Sequence, residues 1–328
     1  MKTTYLLLCL LGIGSVSGAG QTKQPQKIGD FIESTSYNEH RRNATRSLQY
    51  TPDGDDFVCI NGKNRFTRAL YGSHTAFRLE TSDRPVFAAY TKENPKHICF
   101  KLQTSGGTVA LDSTEHCESR YTAGRRSYSL SDPAFGGGSL SITTWALPDK
   151  EGAIWQFNAR NFKEFHPVLL ASISEIRNSK LNRNGDMGAD PADSFEAPLQ
   201  PQQLQSFPVQ IDGTLYILLE NQELRTLTTA EGENLFKKAE AARSETASRI
   251  RIETPDPYFN TLGGTLAMAA DGIWDGEVWL HGAIGWRMPL SGWRAAYTGD
   301  VLGWHDRART HFNAYAASQV TEGPNTLP

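Results

Sequence analysis

The sequence predicts a mainly β protein: an N-terminal antiparallel β-sandwich, a linker helix, and then a short helical part. Three observations carry this. From Leu48 to Leu227, short runs rich in Val, Ile, Phe, Tyr and Thr alternate with turn residues, the mark of many short strands rather than a parallel α/β sheet. From Ala230 to Arg249 the composition shifts to Ala, Glu, Lys and Arg, with Leu235, Ala239, Ala242 and Ala247 on a helical stripe. Beyond Asp256 the pattern stays helical, and five of the seven tryptophans fall between Trp274 and Trp304.

In chain order, Met1 and Lys2 give a positive start, Tyr5 to Ile13 an apolar run, and Ser15 to Gly20 small residues. That order describes a cleavable secretory signal over residues 1–19, cut after Gly18 or Ala19. The run falls well short of the roughly 20 residues that span a bilayer. Export to the periplasm, cell surface or exterior is therefore expected, with no membrane span after cleavage. Residues 20–45 are polar and read as a flexible lead segment, in which Asn43-Ala44-Thr45 fits a glycosylation acceptor. The remaining chain divides into a sandwich over 46–228, a linker helix over 229–253 and a helical part over 254–328.

Within the sandwich, Phe57 to Ile60 precedes Asn61-Gly62, a tight-turn signal. Further strands are expected at Phe66 to Tyr71, Thr75 to Leu79, Val86 to Tyr90, Ile98 to Leu102 and, after a Gly106-Gly107 turn, Thr108 to Leu111. Others follow at Arg126 to Leu130, Ser139 to Leu147, Ala153 to Ala159, Val168 to Ile173 and Thr214 to Leu219. Gly136-Gly137-Gly138 reads as a hairpin loop, without the helix or spacing of a phosphate cradle. Residues 178–208 read as a long insertion. Within it, Asn182, Asn184 and Asp186 imitate the start of a calcium loop, but Met187 and Asp193 stand where Gly and Glu belong. No metal and no cofactor is expected. Asp256 followed by Pro257 starts a helix that continues through Leu262 to Ala270. A second helix is expected from Asp300 to Ser318, with Val301, Trp304, Ala308, Phe312 and Tyr315 on one face.

Net charge is −3 with no basic stripe, which argues against a nucleic-acid partner. Cys59, Cys99 and Cys117 remain after signal removal. Their odd number excludes a full disulfide framework and leaves one bridge with a free thiol, or three free thiols.

The chemistry concentrates in the tryptophan segment. Trp274, Trp279, Trp286, Trp293 and Trp304 are interleaved with Arg287, Arg294, His305 and Arg307. Flat rings beside fixed polar groups suit the apolar faces and hydroxyls of a poly- or oligosaccharide; the bland alternative is core tryptophans and surface ion pairs. His74, with Arg68 and Arg78, is a candidate for the same cleft from the sandwich side. Cleaving a glycosidic bond takes two carboxylates, and the candidates are Asp275, Glu277, Asp300 and Asp306. Asp275 and Glu277 would point the same way in an extended segment. Asp300 doubles as a helix cap, and Asp306 as the partner of Arg309 three residues on. Spacing does not assign an acid and a base.

Two long stretches, Asn64 to Glu80 and Trp293 to Arg307, resemble a bacterial family of large secreted proteins. Its members carry an N-terminal β-sandwich domain of unknown function followed by a six-hairpin glycosidase-like α/α barrel. The resemblance covers essentially the whole mature chain and implies a part in polysaccharide breakdown. Only about 70 residues follow Asp256, enough for one hairpin of such a barrel, so the resemblance implies the N-terminal portion of a glycoside-hydrolase-like protein. Three readings stand: part of a hydrolase, a non-catalytic carbohydrate-binding module or one that docks onto a separately encoded barrel, and a truncated product without function.

Overall fold

The computed structural model describes residues 50–63, 68–71, 77–90, 96–162, 166–175, 204–280 and 289–323. The signal, the lead segment, the calcium-like pattern, His74, Trp286 and Arg287 lie outside them, as does the side chain of Trp293.

The described residues form two antiparallel sheets and a C-terminal group of helices. The first sheet runs in the order β1 (Thr51–Asp53), β2 (Asp56–Ile60), β8 (His116–Thr122), β9 (Arg125–Ser131), β10 (Ser139–Ala146), β11 (Gly152–Arg160), β14 (Thr214–Glu220), β15 (Glu223–Leu227). The second runs β13 (Gln205–Pro208), β12 (Val168–Glu175), β6 (Lys96–Thr104), β5 (Val86–Tyr90), β4 (Arg78–Thr81), β3 (Arg68–Tyr71), with β7 (Gly107–Ala110) also on β6. Alternation places Leu79, Phe87, Phe100 and Leu169 of the second sheet against Tyr128, Ile142, Trp155 and Phe157 of the first. Edge-on ring contacts bridge the layers, Phe87 with Trp155 at 5.4 Å and Phe100 with Phe157 at 5.1 Å. Such pairs add about 0.5–1.5 kcal/mol each beyond their buried area.

A charge sits inside this core. The fully buried Arg126 donates to the Ser82 carbonyl at 2.7 Å and to the Tyr50 hydroxyl at 2.9 Å, and pairs with Asp83 at 3.6 Å. Tyr50 donates to Asp83 in turn. A buried cation persists when a counter-charge and hydrogen bonds replace water. Cys59, Cys99 and Cys117 are free thiols, and burial pushes each above its ordinary pKa, Cys117 to about 12.

The outer face of the first sheet is covered by α1 (Thr229–Ala247). A capping box starts this helix: Thr228 Oγ1 accepts from the Glu231 amide, and the Glu231 carboxylate accepts from the Thr228 amide. Leu235, Phe236 and Ala239 then pack on Trp145, Ile154, Tyr216 and Leu218, which explains why β11 and β14 are apolar on both faces. Next, α2 (Pro257–Gly272) opens on Asp256, whose side chain accepts from the Tyr258 amide. It lies against α1, β1 and β3. Gly263 and Gly264 allow the approach; a Cβ at Gly263 would sit 2.8 Å from the Ile250 carbonyl oxygen. Two more helices follow, α3 (Pro289–Val301) and α4 (His305–Ala317).

Several expectations change. The helix expected from Asp300 to Ser318 is α4, which starts only at His305; Asp300 and Val301 end α3. Gly303, at φ +85°, breaks the run, so Asp300 lies in the last turn of α3 instead of capping α4. The expected apolar face breaks with it: Trp304 and Ala308 are buried while Val301 is 86% exposed. Asn61-Gly62 does not close a hairpin. Asn61 instead accepts the Cys117 amide through Oδ1 at 2.8 Å, and β2 pairs with β1 and β8. The end of the expected insertion is strand β13. Strand β8, with its polar sequence His-Cys-Glu-Ser-Arg-Tyr-Thr, and the edge strands β1 and β15 were not anticipated.

Candidate functional site

The tryptophan segment folds into a small core between the helices. Trp274 and Trp279 face each other across a tight turn, bridged through their backbones, with ring centres 4.7 Å apart. Asp275 builds that turn: its Oδ1 accepts the amides of Glu277 at 3.0 Å and Val278 at 2.7 Å, and Gly276 takes φ +98°. The pair is therefore not extended. Asp275 caps a turn, and Glu277 is exposed on it. Trp279 is 1% exposed, donates Nε1–H to the Ala270 carbonyl at 3.0 Å, and lies 6.4 Å from the Trp304 ring. With Ala296 and Ala308 these three rings fill the space between α2, α3 and α4. Their faces contact one another, so they do not form an open row for stacking a sugar.

The other candidates are scattered. Asp300 pairs with His305 Nδ1 at 2.6 Å on the exposed surface. Asp306 pairs with Arg309 at 2.7 Å, also exposed. Arg294 is exposed on α3. Asp300 and Asp306 stand on different helices, and neither of them nor Asp275 nor Glu277 lines the cavity described next. Trp304 and Arg307 do line it.

That cavity, of about 210 Å³, lies at the junction of the sandwich and the helices. Tyr71 of β3, the Gly124 turn and Trp145 of β10 form one wall, and Arg243, Glu245 and Arg249 at the end of α1 form another. Met268 and Asp271 of α2, with Trp304 just before α4 and Arg307 on it, close it. Arg307 Nη1 donates to Asp271 Oδ1 at 2.6 Å. Its guanidinium lies 4.8 Å from the Trp304 ring centre and 5.7 Å from that of Trp274. Burial raises the Asp271 carboxyl above the usual carboxylate range, and the hydrogen bond and charge of Arg307 pull it part of the way back. Burial also pushes the Tyr71 phenol up to about 12, helped by the nearby Glu80 carboxyl.

Behind the lining residues Trp145 and Arg243, Glu240 organises three donors. It accepts Arg243 at 2.5 and 3.0 Å, Trp145 Nε1–H at 2.9 Å and Arg125 at 3.2 Å. Burial works to raise the Glu240 pKa, but the bonds from Arg243 and Trp145 prevail and hold it below the ordinary value. Arg243 also donates to the Ala123 carbonyl at 3.0 Å, tying α1 to the β8–β9 turn.

Sequence reasoning missed Tyr71, Asp271, Arg243, Glu245 and Arg249 as site residues. No spacing rule links positions 71, 249 and 307. The available signals were indirect: Gly272 admits the Tyr71 ring where a Cβ would sit 2.2 Å away, and Asp271 is a carboxylate inside an otherwise uncharged helix. Among the described residues no cluster of His, Cys, Asp and Glu is suited to hold a metal, and no helix is long and apolar enough to cross a membrane.

A two-layer sandwich with helices docked over one face, enclosing a polar, aromatic-edged cavity at the junction, is thus the class of architecture. Residues 95–250 match the family model described as Domain of unknown function (DUF4450). The matched segment begins beside β6 and ends just past α1, so it contributes Trp145, Arg243 and Arg249 to the cavity, while Tyr71, Asp271, Trp304 and Arg307 lie outside it. No curated protein matches the chain.

Proposed function

We propose that this chain is a glycan-holding unit of a secreted protein that processes polysaccharides, and that the junction cavity seats a sugar residue. The observation carrying the reading is the union, in one cavity of about 210 Å³, of an aromatic edge with fixed polar groups: Trp304 beside the Arg307–Asp271 pair. Pockets for drug-sized ligands run to about 300–1,000 Å³; this smaller space suits a single ring. Binding is favoured over cleavage because Asp275 is committed to a turn and Asp300 and Asp306 to surface ion pairs. The N-terminal pattern expected of a secretory signal supports the same reading, in which the ligand is met outside the cytoplasm.

The test is affinity electrophoresis of the whole chain in gels cast with a panel of plant and host polysaccharides, with reducing-sugar release followed in parallel. Retardation without release is expected. A panel that retards nothing would sink the reading, and sugar release would return the chain to the hydrolases. Expression from Met1, followed by N-terminal sequencing of the exported product, is expected to begin at Ala19 or Gly20; a product kept in the cytoplasm with Met1 intact would overturn the export half.

A further inference from the structure

We infer that the junction cavity selects an anionic sugar, bearing a carboxylate or a sulfate, and that Arg249 makes the selection. The inference rests on the glycan-holding reading and adds the charge of the ligand and the residue that reads it.

Three arginines line the cavity, and two already have carboxylates. Glu240 holds Arg243 through both nitrogens of its fork, and Asp271 holds Arg307. Arg249 makes no ion pair among the described residues. Its Nη1 donates to the Leu302 carbonyl at 2.8 Å, and its guanidinium carbon lies 5.0 Å from the Trp304 ring centre. The Arg307 guanidinium lies 4.8 Å from that same centre. Two cations therefore share one ring, and a single carboxylate, Asp271, answers them. A guanidinium presents a planar fork that matches a carboxylate or sulfate at two points. With one arm on a backbone carbonyl, Arg249 is held in place, and among the described residues its remaining donors have no hydrogen-bond partner. An anionic substituent beside Trp304 would balance the second cation and take up those donors.

Glu245 lines the same cavity and makes no ion pair among the described residues. A carboxylate there opposes an anionic ligand, so the two residues should act with opposite sign.

The probes are a trimer of galacturonic acid, a sulfated galactose trimer and the neutral galactose trimer, titrated calorimetrically into the whole chain at low and high salt. We expect an acidic trimer to bind about tenfold more tightly than the neutral one, with an advantage that shrinks at high salt. Arg249→Gln should remove most of that discrimination, and Arg249→Lys should restore part of it. Glu245→Gln should tighten acidic binding about threefold. Both positions are exposed, and melting curves will show whether each variant is folded. Equal affinity for neutral and acidic trimers, or discrimination unchanged in Arg249→Gln, would overturn the inference and leave the glycan-holding reading intact. Absence of binding by all three trimers would overturn the inference, and the polysaccharide gels then decide separately whether the glycan-holding reading goes with it. Which acidic trimer binds distinguishes carboxylate from sulfate.

Discussion

At Gly299 the α3 backbone passes so close to Trp279 that a Cβ would sit 2.2 Å from the indole ring. Gly232 on α1 and Gly272 on α2 stand in the same relation to Tyr216 and Tyr71. In each case a helix reaches a buried aromatic by giving up a side chain. Replacing a helical glycine by alanine gains about 1 kcal/mol of intrinsic propensity. Overpacking a rigid buried ring costs about 1–3 kcal/mol or more, so the clash decides the sign. Gly299→Ala is expected to lower stability by about 1–2 kcal/mol in urea unfolding; a variant as stable as the parent would show that the helices pack more loosely than described. The asymmetry between what was and was not legible in sequence begins at this scale. Asp256 before Pro257 announced its cap, because capping is a local bargain between a side chain and an amide two residues on, here that of Tyr258. Asp275 did not announce its turn, since a carboxylate in a tryptophan-rich segment suits catalysis and turn-building equally.

Among the elements, strands rich in β-branched and aromatic residues were legible: β5, β10, β11, β12 and β14 all fall where they were expected, and β9 does so on the alternation of Tyr128 and Leu130 with serines. Strand β8 was not, because Glu118 and Arg120 point away from the core and His116 opens the strand, exposed. The split between α3 and α4 was missed because a single glycine outweighed a continuous helical stripe. What ties α4 to the tryptophan turn is His311. It is fully buried, and its Nδ1 accepts the Trp279 backbone amide at 3.0 Å. That bond requires an unprotonated Nδ1. Burial holds the imidazole pKa below 6.5, against the opposing charge of Asp275. The folded value is thus depressed relative to the unfolded chain. The stability His311 contributes is present above pH 6.5 and is lost as pH falls through the folded value. Acidification from neutral pH is expected to loosen α4 from the tryptophan core, seen as a change in tryptophan emission and a lower melting temperature. The comparison is with His311→Gln, in which the part of the profile just below pH 6.5 should be flat. Parallel profiles for the two proteins would remove His311 as its cause.

For the molecule as a whole, the question is whether sandwich and helices behave as one cooperative body. The cavity gathers residues from Tyr71 to Arg307, so it exists only if α1 holds the helices to the sheet, and no local pattern in the sequence expresses that condition. Apolar contact supplies part of the hold: Leu235, Phe236 and Ala239 pack on Trp145, Ile154, Tyr216 and Leu218, with the Phe236 and Trp145 ring centres 4.1 Å apart. Glu240 adds direction by binding Trp145 and Arg125 of the sandwich together with Arg243 of its own helix, which reaches on to the Ala123 carbonyl. Removing this one carboxylate strands three donors in a partly buried seam, where a hydrogen bond to a charged group is worth about 1.5–3 kcal/mol. Glu240→Ala is therefore expected to destabilise the chain by about 2–3 kcal/mol. It should also split one thermal transition into two, as the helices release before the sandwich melts. Lys238→Ala supplies the contrast. Lys238 bridges the same helix to Asp149 at 2.5 Å, but both side chains are about half exposed, and such pairs contribute about 0–1 kcal/mol. If calorimetry gave the two variants the same small loss and a single transition each, the seam would be held by its apolar packing, and Glu240 would not be the joint between the two halves.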